Sequence, residues 1–393
     1  MKDALQARME GFRKSIREFS AKMGCHEMTH NGIDAFKDLL TMEMGELGFD
    51  VVEEDSLGTI YGILKGIEPG KDILLITHLE EENTGKKAAG NFKAGIASAL
   101  YAAGAIKSAL LPLKGDLIVC CVPRLLFGSY AIEHFYEEIL KSRTSKIKGI
   151  MLSEPTDGKI NLGHKGRIEY EIIIRGHMAG HALQARGLNM LGSLFPLVNE
   201  LEKVSAGLPQ DRTLGRSSLR IKDIQYNNPD SASDPQEFRL AVDRVFVPEE
   251  TPTAILERAR RIASDVYSGC GDLAVSADLV RSKVKGASGE EGSLSELKPW
   301  VMPGHHPFVI SSMEALNEAG FKTDHGFWKN TFTEGSFTCG TLGLPTLGFG
   351  PGSEENGDSG SKVREIERAA LGQALIIHRN IGIPSFGWCA DEI

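Results

Sequence analysis

Four short segments hold residue types that can ligate a metal or move a proton. His78-Leu79-Glu80, with Glu81 and Glu82 behind it, follows the apolar run Asp72–Thr77. Gly90-Asn91-Phe92-Lys93-Ala94-Gly95 opens a helical pattern, and Glu154-Pro155-Thr156 follows the run Gly149–Ser153. Pro351-Gly352 follows Thr346–Gly350 and leads into an acidic loop that contains Asp358. Imidazole and carboxylate suit zinc and similar divalent ions, and a carboxylate or imidazole can serve as the base toward a metal-activated water. Taken singly, each group has a plainer reading: a hydrogen-bonded strand-end histidine, a Glu-Pro-Thr turn, or, for Asp243-Arg244, a surface ion pair. The loop from Gly348 to Gly357 is too acidic to cradle phosphate and does not open a helix as a dinucleotide loop does.

The elements around these segments explain why their positions matter. Helical periodicity covers 3–22, 31–47, 92–111, 128–142, 305–319 and 364–381, and short β-rich runs lie among them at 72–77, 116–122, 149–153 and 346–350. Apolar strands alternating with helices imply βαβ units and a largely parallel, buried sheet. Ligands of such sheets sit beyond the strand C-termini, which is where His78, Glu154 and the Pro351-Gly352 loop fall. The middle of the chain reads differently: strand 167–175, helix 187–204, strands 217–225 and 237–243, helix 251–266, strand 272–280. That βαββαβ order predicts a ferredoxin-like insert over 165–285, with 1–164 and 286–393 forming the interrupted α/β domain.

The chain of 393 residues exceeds the roughly 250–300 that one core organises, in keeping with two domains. A net charge of −9 gives no electrostatic footprint for nucleic acid or an anionic membrane, and no apolar run reaches the roughly 18 residues of a span. The N-terminal stretch reads as an amphipathic helix and not as a signal peptide. Six cysteines without paired spacing read as reduced thiols of a cytoplasmic protein, with one of Cys120 and Cys121 packing inward. A catalytic Cys339 or His325 has no spacing to support it.

In order along the chain, the motifs resemble the acetylornithine deacetylase and succinyl-diaminopimelate desuccinylase family of dinuclear zinc peptidases and deacylases. The resemblance spans nearly the whole chain: HLE at His78, AGNFKAGIAS, SEPTDGKINLGHKGRIEYEIIIRG, ARGLNML, LAVDRVFVPEETP and TEGSFTCGTLGLPTLGFGPG. It implies a zinc-peptidase-like α/β domain whose ferredoxin-like insert is a lid that joins two copies into a homodimer.

The ligand pattern departs from that family. His78 and Glu154 match metal ligands, and Glu80 replaces the Asp that orients the His. Asn91 stands where a carboxylate bridges two metals, and Asp358 where a His binds the second. The position of the base and its adjacent ligand falls in Val122-Pro123-Arg124-Leu125-Leu126-Phe127-Gly128, which has no carboxylate. Two divalent ions about 3.5 Å apart repel by roughly 19 kcal/mol at an effective dielectric near 20, and a neutral Asn91 does little to offset that. The resemblance therefore implies at most one zinc or other divalent ion, drawn from His78, Glu154, Asn91 and Asp358. Glu80, Glu81 and Glu82 are the nearest substitute bases.

For substrate, Arg244 matches an arginine that binds a carboxylate. Thr333-Glu334-Gly335 matches a Thr-x-Gly loop, with Glu334 disfavouring an acidic ligand. His181 lies one residue beyond the position of the lid histidine, which aligns with Gly180. These features predict a pseudoenzyme that holds a small amino-acid-like molecule. The alternative is a working amidohydrolase with a rebuilt, mononuclear site.

Overall fold

The computed structural model describes residues 1–25, 33–80, 89–124, 130–176, 194–227, 236–268, 273–280, 282–285, 291–294, 296–354 and 362–384. By internal contacts the chain divides into one unit of 1–164, 284–292 and 301–393, and a second of 165–283 and 293–300.

The first unit opens with helices α1 (Lys2–Cys25) and α2 (Ile33–Glu46) and the hairpin β1 (Val51–Glu54) and β2 (Ile60–Leu64). Next come β3 (Asp72–Glu80), α3 (Ala89–Ser108), β4 (Leu117–Arg124), α4 (Tyr130–Phe135), β5 (Ile147–Leu152) and the two-residue β6 (Ile160–Asn161). In β3, Ile73 to Leu79 are all buried, as expected of a strand covered on both faces. For the same reason Cys120 and Cys121 are both buried, whereas simple alternation would expose one of them. Helix α3 is rich in small buried residues, among them Ala97, Ala99, Ala102 and Ala103, and so accepts close packing from α1 and the C-terminal helix.

The second unit comprises β7 (Gly166–Gly176), α5 (Phe195–Ala206), β8 (Ser218–Asn227), β9 (Gln236–Phe246), α6 (Pro252–Val266) and β10 (Leu273–Leu279). Its strands are antiparallel in the order β8-β9-β7-β10, which is the ferredoxin-like arrangement predicted above. Ile168, Tyr170, Ile172 and Ile174 alternate onto one buried face, against Leu197 and Leu201 of α5 and Ile255, Ala259 and Ala263 of α6. Helix α6 begins at a Thr251 side-chain cap followed by Pro252, a favoured combination of N-cap and first helical residue.

The chain then completes the first unit with α7 (Pro307–Glu318), β11 (His325–Gly326), α8 (Gly335–Thr338), β12 (Thr346–Gly348) and α9 (Val363–Ile381). Among the described residues the resulting sheet has eight strands in the order β1-β2-β4-β3-β5-β12-β6-β11. Strands β4, β3, β5 and β12 run parallel, and the β1–β2 hairpin joins antiparallel beside β4. This is the α/β architecture expected from the sequence, with a first hairpin that the periodicity did not reveal.

Candidate metal centre

His78 stands near the C-terminal end of β3 and Glu154 two residues past the end of β5, so two adjacent parallel strands deliver them to one edge of the sheet. His78 Nδ1 pairs with Glu154 Oε1, and both side chains are almost fully buried. Phe92, from the opening of α3, stacks on the imidazole with ring centroids 6.1 Å apart. The third group is Glu334, which is 2% exposed and precedes α8. His78, Glu154 and Glu334 each offer a ligand atom within 4.8 Å of the other two.

Local packing holds each member in place. A Cβ at Gly95 or Gly350 would collide with backbone at Ser153 and Glu154, so glycine at both positions lets α3 and the strand-end loop press against the Glu154 turn. Gln373 of α9 donates to Ser153 Oγ and to the Phe349 carbonyl, both at 2.8 Å, tying the two strand ends together. The Trp328 indole donates to the Pro155 carbonyl at 2.7 Å. Glu334 is placed by His164, whose Nε2 accepts from the Thr333 amide at 2.9 Å and lies 3.0 Å from Thr333 Oγ1. Trp328 and Phe332 meet the His164 ring edge-on. His164 is therefore a positioning residue for the Glu334 loop, a role its sequence motif did not suggest.

Two buried carboxylates and one imidazole fit a divalent ion. At an effective dielectric near 20, two carboxylate charges roughly 4.5 Å apart repel by about 4 kcal/mol, and a dication between them reverses that sign. Three protein ligands plus a water is an established zinc arrangement. The structure brings together His78 and Glu154, both read from the sequence as candidate ligands. It adds Glu334, which the sequence had marked only as unfavourable to an acidic ligand. Asn91 lies in the first turn of α3. The side chains of Glu80 and Asn91, and residues Glu81, Glu82, His181 and Asp358, fall outside the described residues.

Gly335, the first residue of α8, is buried, and its amide donates to Thr333 Oγ1 at 3.2 Å. Arg244, on β9, is 2% exposed and pairs with Glu250 inside its own unit. Its Nη1 also reaches the Ser218 and Val245 carbonyls. It is thus a buried ion pair and not a surface one, and a carboxylate ligand would have to displace Glu250. Removing one partner of a buried pair costs about 3–5 kcal/mol. Arg244→Ala is therefore expected to destabilise the second unit by roughly that amount in urea unfolding. A loss below about 1 kcal/mol would show that the pair is not structural.

Cys121 and Cys339 give no support to cysteine chemistry. Burial pushes the Cys339 thiol up to about 11 and that of Cys121 up to about 12, so both are protonated near neutral pH and poor nucleophiles. His325, on β11, is exposed.

Comparisons with known proteins agree with the fold. Residues 162–269 match the model of the M20 peptidase dimerisation domain. An uncharacterised Escherichia coli protein, YgeY, is 24% identical over 335 residues, covering 79% of this chain and 80% of its own. A probable carboxypeptidase of Uncinocarpus reesii is 22% identical over 34% of this chain and 33% of its own. Among solved structures, a Bacillus subtilis dinuclear metal binding peptidase from the M20 family superposes with a TM-score of 0.66 at 14% identity, covering 94% of this chain and 98% of its own. Human carnosine dipeptidase 1 gives 0.68 at 11% identity, covering 96% and 98%. Together these comparisons give the chain the M20 peptidase fold, an α/β unit with an inserted domain that matches the peptidase dimerisation domain. Among the described residues no helix is long and apolar enough to cross a membrane.

Proposed function

We propose that this chain binds one divalent ion on His78, Glu154 and Glu334 and holds a small amino-acid-like molecule beside it, the dinuclear hydrolytic machinery of its relatives having been lost. The observation that carries this reading is the buried trio itself: three ligand atoms within 4.8 Å, from β3, the end of β5 and the loop before α8. By the family resemblance the bridging position is Asn91, and the base and ligand positions fall at Arg124-Leu125. Those replacements remove the negative charge a second ion would need. When bound, such an ion polarises a carbonyl or carboxyl oxygen of the ligand. His164 and Thr333 hold the Glu334 loop, and Phe92 packs beside the imidazole. Thermal-shift screening against amino acids and N-acyl amino acids, with and without zinc or manganese, tests the reading. A metal-dependent rise of several degrees with a carboxylate ligand is expected, and no response to any of them would remove the ligand half of the proposal.

The second unit fits a homodimer built along its outer strand. Strand β8 lies at the edge of the sheet, is exposed along most of its length, and shows Ile224 and Tyr226 to solvent. Unpaired edges of this kind invite pairing with another chain. Sedimentation at micromolar concentration should give a dimer, and a monomer there would count against this interface.

A mononuclear hydrolase is the second reading. The feature that favours it is the ligand count, because three protein ligands and an open fourth position is also how catalytic zinc is held. Turnover separates the two readings.

A further inference from the structure

A second group of metal-ligating residues lies elsewhere in the first unit. Asp55, in the turn between β1 and β2, offers a ligand atom within 4.8 Å of those of His134 and Glu138. His134 lies on α4 and Glu138 in the π-helical turn Tyr136–Leu140 that continues it, so the two are four residues apart along one helical rod. His134 Nε2 is 2.8 Å from Glu138 Oε2 and 2.7 Å from Ser56 Oγ, and Ser56 Oγ donates to Glu138 Oε2 at 3.1 Å.

The constellation contains Ser, His and Glu, yet its geometry is not that of a nucleophilic triad. A triad places the hydroxyl and the carboxylate on opposite ring nitrogens, so that a proton can be taken on one side while the other side orients the ring. Here both approach the same Nε2. Convergence of a hydroxyl, a carboxylate and an imidazole on one point is how ligands surround an ion.

Asp55 supplies the independent sign. Its Oδ1 accepts from the amides of Leu57 at 2.9 Å and Thr59 at 2.7 Å. Its Oδ2 is buried and has no hydrogen-bond partner among the described residues, although the side chain as a whole is only 7% exposed. A buried, unpartnered carboxylate oxygen is costly unless something positive meets it. Burial raises the Asp55 carboxyl above its ordinary range, against the lowering effect of the Thr59 and Leu57 amides, the Thr59 side chain and the nearby His134. Glu138 is 41% exposed, which leaves a side open for an ion to enter and for water to complete its shell.

We infer that Asp55, His134 and Glu138, assisted by Ser56, form a second divalent-cation site that ties the β1–β2 turn to α4. One imidazole with oxygen donors suits zinc, manganese or cobalt better than magnesium or calcium. The site is separate from the His78 centre. Ile60, just after the turn, pairs with Cys121 of β4, and His78 of β3 pairs with Val122 of β4, so two strand spacings, roughly 10 Å, lie between. That is well beyond the roughly 3.5–4 Å of a dinuclear pair.

Manganese titration of the full-length chain, followed by electron paramagnetic resonance, tests the inference. Wild type should bind two ions per chain without spin coupling between them. His134→Asn and Glu138→Gln should each weaken one ion at least tenfold and leave the other, and Glu334→Gln should do the reverse. Both exposed-side variants are checked for folding by circular dichroism. Loss of the only ion in His134→Asn, with retention in Glu334→Gln, would uphold this site and remove the one at His78. Titration of His134→Asn and Glu138→Gln indistinguishable from wild type, or a spin-coupled pair, would overturn the inference.

Discussion

Glu334→Gln is expected to weaken divalent-ion binding at the His78 centre at least about 100-fold, or about 2.7 kcal/mol. The amide keeps the shape of the side chain and removes one of the two anionic charges that face the ion. In the metal-free chain Glu334 and Glu154 are buried carboxyl groups whose ligand atoms lie within 4.8 Å of each other, and there the isosteric variant should melt close to the wild-type temperature. A competition assay with a chromophoric chelator and a thermal melt of the stripped protein read the two effects. A residue needed only for packing would lower the melting temperature and leave affinity alone, and that pair of results would remove Glu334 from the ligand set.

The second large expected effect is that amide hydrolysis is not detected. A positioned general base contributes roughly 10²–10⁴-fold, and the position that the family resemblance would assign to the base lies in a segment without carboxylates, Val122 to Gly128. Wild type loaded with zinc or manganese should therefore turn over N-acyl amino acids and dipeptides no faster than a His78→Ala control. Restoration should require Asn91→Asp, Arg124→Glu, Leu125→Glu and Asp358→His together, because ligands and base act as a unit and single restorations recover little. Zinc-dependent turnover by wild type, abolished in His78→Ala, would establish the mononuclear-hydrolase reading instead.

His78 and Glu154 were legible because each ends a buried apolar strand, and parallel α/β sheets gather such ends at one edge. The lid was legible for a similar reason: Arg167 to Arg175 alternates so regularly that its buried face, Ile168 to Ile174, can be read off by parity. The β1–β2 hairpin was not. Its strands are four and five residues long, β1 is half acidic, and its turn is closed by Asp55 accepting from Leu57 and Thr59, without an Asn-Gly signal. Strands β6 and β11 have two residues each, too few for any period.

Glu334 was missed as a ligand for a different reason. Its Thr-x-Gly motif marks a binding loop and not a ligand, and the His164–Thr333 contact that helps set that loop joins residues distant in sequence. For Arg244 a signal was present. Glu250, the partner that occupies its guanidinium, stands six residues on, within the same quoted motif.

Anomalous diffraction at the zinc edge from crystals grown with zinc tests the central claim most directly. A single peak is predicted where His78 Nδ1 and the carboxylates of Glu154 and Glu334 converge, at about 2.0–2.2 Å from each ligand atom. Two peaks about 3.5–4 Å apart at that centre, or a peak there that Glu334 does not touch, would contradict it.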